Sequence, residues 1–302
     1  MRGLLESVPN FSEGRDPDVL AAIRAAIDGH ARVLDVHADS DHNRSVFTCV
    51  GDPDGLVSGL AAAVAVAADR IDLRRHEGVH PRVGAADVVP FVRFRPGDPV
   101  PERAARELGE RIGASGIPVF GYADLGGGLR PAFFRAGGTA GLQGRVDAAE
   151  AAPLWGPMRL HPSAGAVLVG VRPPLVAFNV DLETSDVEVA RAIATAIRER
   201  DGGLAGVQAL GLGLRRSGRA QVSMNLIDVA ATPLHRVVAE VARLAAGRGV
   251  GVAGGELVGL MPAGVAAAAA GDALRLLEMR PDRLLEVAVA GEFGAVSDAP
   301  GR

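Results

Sequence analysis

The chain has 302 residues, of which 48% are hydrophobic and only 4% aromatic, enough apolar material for one large domain or two ordinary ones. Its formal net charge of -4 argues against a nucleic-acid binder, which needs a basic surface, and points to small molecules as partners. All 32 basic residues are arginine, which excludes a lysine Schiff base, pyridoxal phosphate attachment and a phosphate-loop lysine. No apolar run is long enough to span a membrane, no signal-like stretch opens the chain, and Cys49 is the sole cysteine, so the expected location is the cytoplasm.

Residues 4–9 read as a first strand, followed by the polar turn Asn10-Phe11-Ser12-Glu13-Gly14. Asp16-Pro17 then opens a helix, with Asp16 as cap and Pro17 in the first helical position, ending at Gly29. Strands are expected at 33–36 and 45–50. Between them lie Asp35, His37, Asp39, Asp41 and His42, a cluster that reads either as turn-forming residues or as ligands of a divalent cation. An Ala-rich helix over 53–70 and a strand over 88–94 complete the order strand, helix, strand, strand, helix, strand. That is the ferredoxin-like split unit. Cys49 falls inside a strand pattern and reads as an inert core residue.

The stretch from Arg74 to Asp87, R-R-H-E-G-V-H-P-R-V-G-A-A-D, concentrates two of the seven histidines, three arginines and two carboxylates. His76 to His80 matches H-E-x-x-H, in which two histidines share a helix face and hold zinc. Gly78 inside the motif and Pro81 directly after it argue against that helix, because proline disfavours α geometry in the residue before it. The stretch therefore reads as a rigid loop that presents His80, a side chain able to exchange a proton near neutral pH, beside the permanent cation Arg82.

Further along, a helix over 101–112 and a buried strand over 117–122 precede the glycine clusters 126–128 and 137–138, which read as a flexible excursion around 131–135; no G-K-S/T follows to make a phosphate loop. The segment Gly156-Pro157-Met158-Arg159-Leu160-His161-Pro162-Ser163-Ala164-Gly165 breaks all periodicity and reads as an interdomain linker or as a ligand-lining loop. After Pro173-Pro174 the element order of the first half recurs: strand 175–181, helix 186–200, strands 207–212 and 220–227, helix 233–246 and strand 250–258. Helical pieces over 262–270 and 281–285 follow, and 291–302 reads as a frayed end.

These segments together resemble the formiminotransferase domain of glutamate formiminotransferase, the transferase half of the bifunctional formiminotransferase-cyclodeaminase. Residues 8–14 are similar to its V-P-N-F-S-E-G, residues 43–46 to N-R-T-V, and residues 76–87 to H-x-G-E-H-P-R-M-G-A-x-D. Residues 177–180, 220–226 and 256–262 are similar to A-F-N-I, A-Q-V-S-x-N-L and Q-L-V-G-L-V-P. The motifs run in family order from residue 7 to about 270, and no sequence is left for a cyclodeaminase half.

The resemblance implies an α/β fold of two ferredoxin-like subdomains, 1–170 and 171–302, with facing sheets and a ligand tunnel, and a homodimer. It implies transfer of a formimino group from N-formimino-L-glutamate to N5 of tetrahydrofolate, which serves as co-substrate without a metal. His80 falls on the family's catalytic histidine. Asn10, Ser12, Glu13, Asn43, Arg44 and Arg82 are the expected substrate-binding residues, and residues 156–165 the folate-binding stretch. Val79 stands where the family has Glu, Ala164 where animal members have Trp, and His37 where they have Asp. Those departures leave a second reading, a folate or small-anion binding homologue with altered catalysis or a different donor. A metalloenzyme using His76, His80 and the cluster at 35–42 is the third.

Overall fold

The computed structural model describes residues 4–276, 278–285 and 287. The chain divides into two compact units, residues 1–174 with 214–216, and residues 175–213 with 217–302.

In the first unit, strands β1 (Leu5–Ser7), β2 (Asn10–Phe11), β3 (Arg32–Asp39), β4 (Arg44–Gly51), β5 (Ala86–Val92), β6 (Val119–Ala123) and β7 (Val167–Arg172) form one sheet. β1 and β2 continue one another, each lying between β4 and β5, and β3 closes one edge on β4; these pairs are all antiparallel. β5 then pairs in parallel with β7, and β7 with β6. Helices α1 (Pro17–Asp28), α2 (Pro53–Arg70) and α3 (Val100–Ala114) pack on one face.

Local chemistry explains these elements. The Asp16 carboxylate accepts from the amides of Asp18 and Val19 at 2.9 and 3.3 Å, and Asp52 accepts from Gly55 at 3.1 Å, so both helices start with an acidic cap followed by proline. The helix-covered face holds a continuous core that includes Phe11, Phe47, Leu60, Phe91 and Leu108, with Phe11 and Phe47 edge to face at 5.4 Å. Every residue of β5 is buried, because the second face of the sheet is also covered there. Helices α4 (Pro131–Arg135) and α5 (Gly138–Asp147) bring Phe134, Leu142 and Val146 onto Val88, Phe120 and Leu168.

The second unit is a four-stranded antiparallel sheet of β8 (Val176–Leu182), β9 (Val207–Gly213), β10 (Ala220–Leu226) and β11 (Val252–Val258), in the order β11-β8-β10-β9. Helices α6 (Val187–Ile197) and α7 (Leu234–Ala246) cover one face, and α8 (Ala263–Ala273) follows β11. This is the ferredoxin-like order read from the sequence, and in the first unit β1 and β2 taken as one strand, followed by α1, β3, β4, α2 and β5, repeat it.

Three expectations change. β3 extends through Asp39, so the turn before β4 is only Ser40–Asn43, held by Asp39 Oδ1 accepting from the amides of Asp41 and His42, both at 2.7 Å. The glycine-rich excursion is folded: it contains α4 and α5, pinned by Arg145, which donates to the carbonyls of Phe134 and Ala136 at 3.0 and 2.7 Å. The segment 156–165 is not a linker, since it lies within the first unit and leads into β7, a strand the sequence reading did not mark. The predicted frayed end, 291–302, lies outside the described residues. No helix among the described residues is long and apolar enough to cross a membrane.

Phe47→Ala removes a fully buried ring from the centre of this core. A loss of about 3–5 kcal/mol in stability is expected, read as a lower urea midpoint.

Candidate functional site

The site forms where the end of the sheet meets the loop between α2 and β5. Asp87, at the second position of β5, is completely buried, and its Oδ1 accepts from the Val83 amide at 2.8 Å. Its Oδ2 accepts from two guanidinium groups, Arg44 Nη1 at 2.7 Å and Arg135 Nη2 at 2.6 Å. Burial pushes the carboxyl upward, but Arg135 and Arg44 outweigh it and hold it down at about 2. Arg44, brought into place by the first position of β4, spends Nε and Nη2 on Asn10 Oδ1 at 3.1 and 2.7 Å. Its own burial lowers it to about 10. One carboxylate thus sits between two cations, leaving a net positive charge in a place with little water.

Residues 73–85 form no helix, so His76 and His80 do not share a helix face. Arg82 organises this loop. Its Nε and Nη2 donate to the His80 carbonyl at 3.1 and 2.7 Å, Nη2 to the His42 carbonyl at 2.9 Å, and Nη1 to the Asn43 carbonyl at 3.0 Å. His76 Nε2 lies 3.1 Å from the Asn43 carbonyl oxygen, and Arg82 Nη1 lies 2.7 Å from both ring nitrogens, one of which accepts from it. All five N–H groups of Arg82 are then engaged. Burial, then the Arg82 charge, lowers His76 to about 4, so it stays neutral. Gly78 is the point of closest passage: a Cβ there would lie 2.3 Å from the His42 carbonyl oxygen and 2.5 Å from Arg82 Nη2.

His80 is partly accessible. Its Nδ1 lies 2.7 Å from the Pro81 carbonyl oxygen and, in the neutral ring, donates to it. The Nε2 lone pair is then the basic one. Desolvation first, then the charges of Arg44, Arg135 and His42, depresses His80 well below its ordinary 6.5. The His42 ring lies 6.0 Å away, centre to centre.

The remaining sequence candidates fall nearby in different roles. Asn43, at a left-handed φ of 45°, accepts from the Gly14 amide at 3.0 Å and donates to the Glu77 carbonyl at 2.9 Å. Ser12 is buried and donates to the Gly84 carbonyl at 2.7 Å. Glu13 Oε1 accepts from the amides of Gly14, Arg15 and Asp16 at 2.9, 2.7 and 3.0 Å. Their side chains hold the loops together.

Residues 156–165 pair with the histidine loop. Leu73 and Ala85 donate to the carbonyls of Ser163 and Ala164, both at 2.9 Å, and Ala166 donates to Val83 at 2.9 Å. His161 and Gly165 exchange amide bonds at 2.9 Å, and His161 Nδ1 accepts from the Ala164 amide at 3.0 Å. Gly165, at φ +70°, admits no side chain, because a Cβ would come within 2.1 Å of the Val83 carbonyl oxygen. Gly156, Pro157, Met158 and Arg159 form an exposed rim, with Leu160, His161, Pro162 and Ser163 leading down to buried Ala164 and Gly165.

Sequence reasoning gave Asp87 no role beyond the end of its motif, and it missed Arg135 altogether. One arginine among 32, at the end of a five-residue helix between glycine clusters, carries no signal of its own. The cluster at 35–42 gathers no metal set: among the described residues no group of three or more His, Cys, Asp or Glu is placed to hold an ion. Cys49 is a core residue, pushed up to about 12 by burial, and is no nucleophile.

In the second unit, the motifs at 177–180 and 220–226 are adjacent strands, with Asn179 opposite both Ser223 and Glu256. Asn179 Nδ2 donates to Glu256 Oε2 at 2.8 Å, and Gln221 Nε2 to Asp181 Oδ1 at 2.9 Å.

The first unit thus gathers three arginines, a buried carboxylate and a neutral imidazole on a ferredoxin-like α/β framework. Residues 4–172 match the formiminotransferase domain, N-terminal subdomain, and residues 177–275 match the formiminotransferase domain. The chain belongs to the formiminotransferase domain family. It is 41% identical over 274 residues to a glutamate formimidoyltransferase of Thermoplasma acidophilum, covering 86% of this chain and 88% of that one. It is 38% identical over 275 residues to that of Streptococcus pyogenes serotype M1, covering 87% and 90%. Against the formimidoyltransferase-cyclodeaminase of Sus scrofa it is 40% identical over 277 residues and spans 51% of the relative's length.

Asp87→Asn leaves two buried guanidinium groups without their counter-ion, and a loss of about 3–5 kcal/mol in stability is expected by urea titration. The acid response has a defined sign. Asp87, held near 2 against an ordinary 3.8, stabilises the fold above pH 3.8 and loses that contribution as pH falls through 2. His76, kept neutral down to about 4 against 6.5, penalises the folded state increasingly as pH falls from 6.5 to 4. Thermal melts of the wild type are expected to fall across both windows, and the Asp87→Asn variant to lose the lower one.

Proposed function

We propose that the protein transfers the formimino group of N-formimino-L-glutamate to N5 of tetrahydrofolate, giving L-glutamate and 5-formiminotetrahydrofolate, a step of histidine degradation and one-carbon metabolism. What carries the mechanism is His80: an accessible imidazole, neutral at physiological pH, with its basic Nε2 left over and two arginines beside it. The named relatives support the reaction class, since two are glutamate formimidoyltransferases over most of their length.

In this reading N5 of the folate attacks the amidine carbon, forming the new C–N bond. Nε2 of His80 takes the proton from N5 and delivers it to the donor nitrogen, so the old C–N bond breaks with a neutral amine departing. Base and acid are one group, and the depressed proton affinity suits the first half of the cycle. Residues 156–165 line the folate, their inner end at Ser163 and Ala164 pairing with the loop that holds His80. Asn10, Ser12, Glu13, Asn43, Arg44 and Arg82 shape the donor side, and for Arg82, Ser12 and Glu13 the contribution is to fix the loops. Tetrahydrofolate is a co-substrate, and no metal takes part. The two units serve as N-terminal and C-terminal formiminotransferase subdomains, and the protein works as a homodimer in the cytoplasm.

Transfer assayed with formiminoglutamate and tetrahydrofolate is expected to succeed with wild type and to fall about 10²- to 10⁴-fold in His80→Ala. Because the imidazole stays neutral below its ordinary 6.5, the acid limb of kcat/KM is expected below that pH. Full activity of His80→Ala, or an acid limb above pH 6.5, contradicts the assignment.

A further inference from the structure

Three guanidinium groups surround His80, and they differ in what their donors already hold. Arg82 has all five N–H groups on protein acceptors. Arg44 has every nitrogen engaged, on Asn10 and Asp87, and its side chain is 9% exposed. Among the described residues Arg135 makes a single hydrogen bond, Nη2 to Asp87 Oδ2. Its Nε is fully buried with no partner, and its side chain is 15% exposed. Nη1 therefore keeps two N–H donors with no acceptor among the described residues.

Nη1, unlike Nε, is not sealed from solvent, so it is the donor that an acceptor arriving from outside can reach. The surroundings are rigid enough to hold it for that purpose. α4 is anchored by Phe134, whose ring meets those of Phe120 and Phe133 at 5.5 and 5.1 Å. Arg145 closes the helix end by donating to the carbonyls on both sides of Arg135 and lies over the Phe133 ring at 5.4 Å. Because Arg44 and Arg135 share Oδ2 of one carboxylate, the charge between them is positive by one unit, and a second carboxylate is the group that balances it. The chemistry of the donor supplies that group twice.

We propose that Arg135 is the residue that receives a carboxylate of the formimino donor, through Nη1, next to the imidazole of His80. This rests on the transfer reaction proposed above. Arg44 and Arg82, which the sequence suggests for the task, then act by holding Asp87 and the loops. Asp87 aims Arg135 by fixing Nη2, leaving the other terminal nitrogen toward the ligand.

The test is steady-state kinetics of Arg135→Gln and Arg135→Lys with formiminoglutamate and tetrahydrofolate varied in turn, together with calorimetry of L-glutamate binding. Glutamine keeps an amide donor for Asp87, and circular dichroism checks that the variant is folded. In Arg135→Gln the donor KM is expected to rise about ten- to a hundredfold, the loss of a charge-assisted bond, with a smaller rise in Arg135→Lys. The tetrahydrofolate KM is expected to stay within about twofold, and the heat of glutamate binding seen with wild type to vanish in Arg135→Gln. An unchanged donor KM in the folded variant, or a loss shared equally by both substrates, overturns the inference. If Arg135→Gln does not fold, the wild type decides, with donors lacking either the α- or the γ-carboxylate: equal KM for both and for formiminoglutamate overturns it, and a rise for one identifies the bound group. Failure of this inference leaves wild-type transfer intact. Failure of the reaction assigned above appears as no transfer by wild type, and the inference falls with it.

Discussion

The site depends on one buried carboxylate. Asp87 has no exposed surface, yet it stays ionised because two arginines and a backbone amide replace its water. A buried ion cluster of this kind adds little net stability, since desolvating three charges offsets most of their attraction. Its effect is positional. Through Arg44 it ties β4 to β5 and, by way of Asn10, to β2; through Arg135 it ties α4 to the same point; through Val83 it draws in the end of the histidine loop. Four segments far apart in sequence are referred to a single pair of oxygens.

The second constraint is made of backbone carbonyls. Arg82 joins the turn before β4 to the loop before β5 by gripping His42, Asn43 and His80 at their carbonyl oxygens, an arrangement indifferent to the side chains at those positions. The chains can approach this closely because Gly78 has no Cβ, and the neighbouring loop can reach the other side because Gly165 has none. The role proposed for His80, meeting both an attacking and a departing nitrogen, needs placement within a fraction of an ångström, and cross-linked loops supply it without helix or strand.

Much of this was legible in the sequence. Alternation and the Asp16-Pro17 cap helped locate the ferredoxin-like elements because such signals act locally, and Gly78 with Pro81 excluded a helix for the same reason. The histidine and its neighbouring arginine came into view together because they are close in sequence. What stayed hidden depends on partners distant in sequence. β7 is buried on both faces between β5 and β6, so its apolar run has no alternation to mark a strand. α5 is short and glycine-rich, and Arg145 stabilises α4 from outside. Arg82 looks like a free cation next to a histidine until the three carbonyls around it are seen, and Arg135 looks like any other arginine until Asp87 is found 2.6 Å away.

The placement of charge has a consequence for the order of events. In the free protein desolvation, reinforced by the excess cation near His80, keeps the ring neutral, which is the form that can accept a proton. A carboxylate seated on Arg135 cancels that excess, and the same electrostatics then raises the proton affinity of His80. By reciprocity, whatever favours the protonated ring also favours the bound anion. The donor would thus strengthen the base as it binds and release it toward neutrality as glutamate leaves, so that the ring returns to its accepting form for the next folate. Such coupling works only where water is scarce, because screening in the open would erase interactions of this range. That is a physical reason for burying Asp87 completely while leaving His80 partly open.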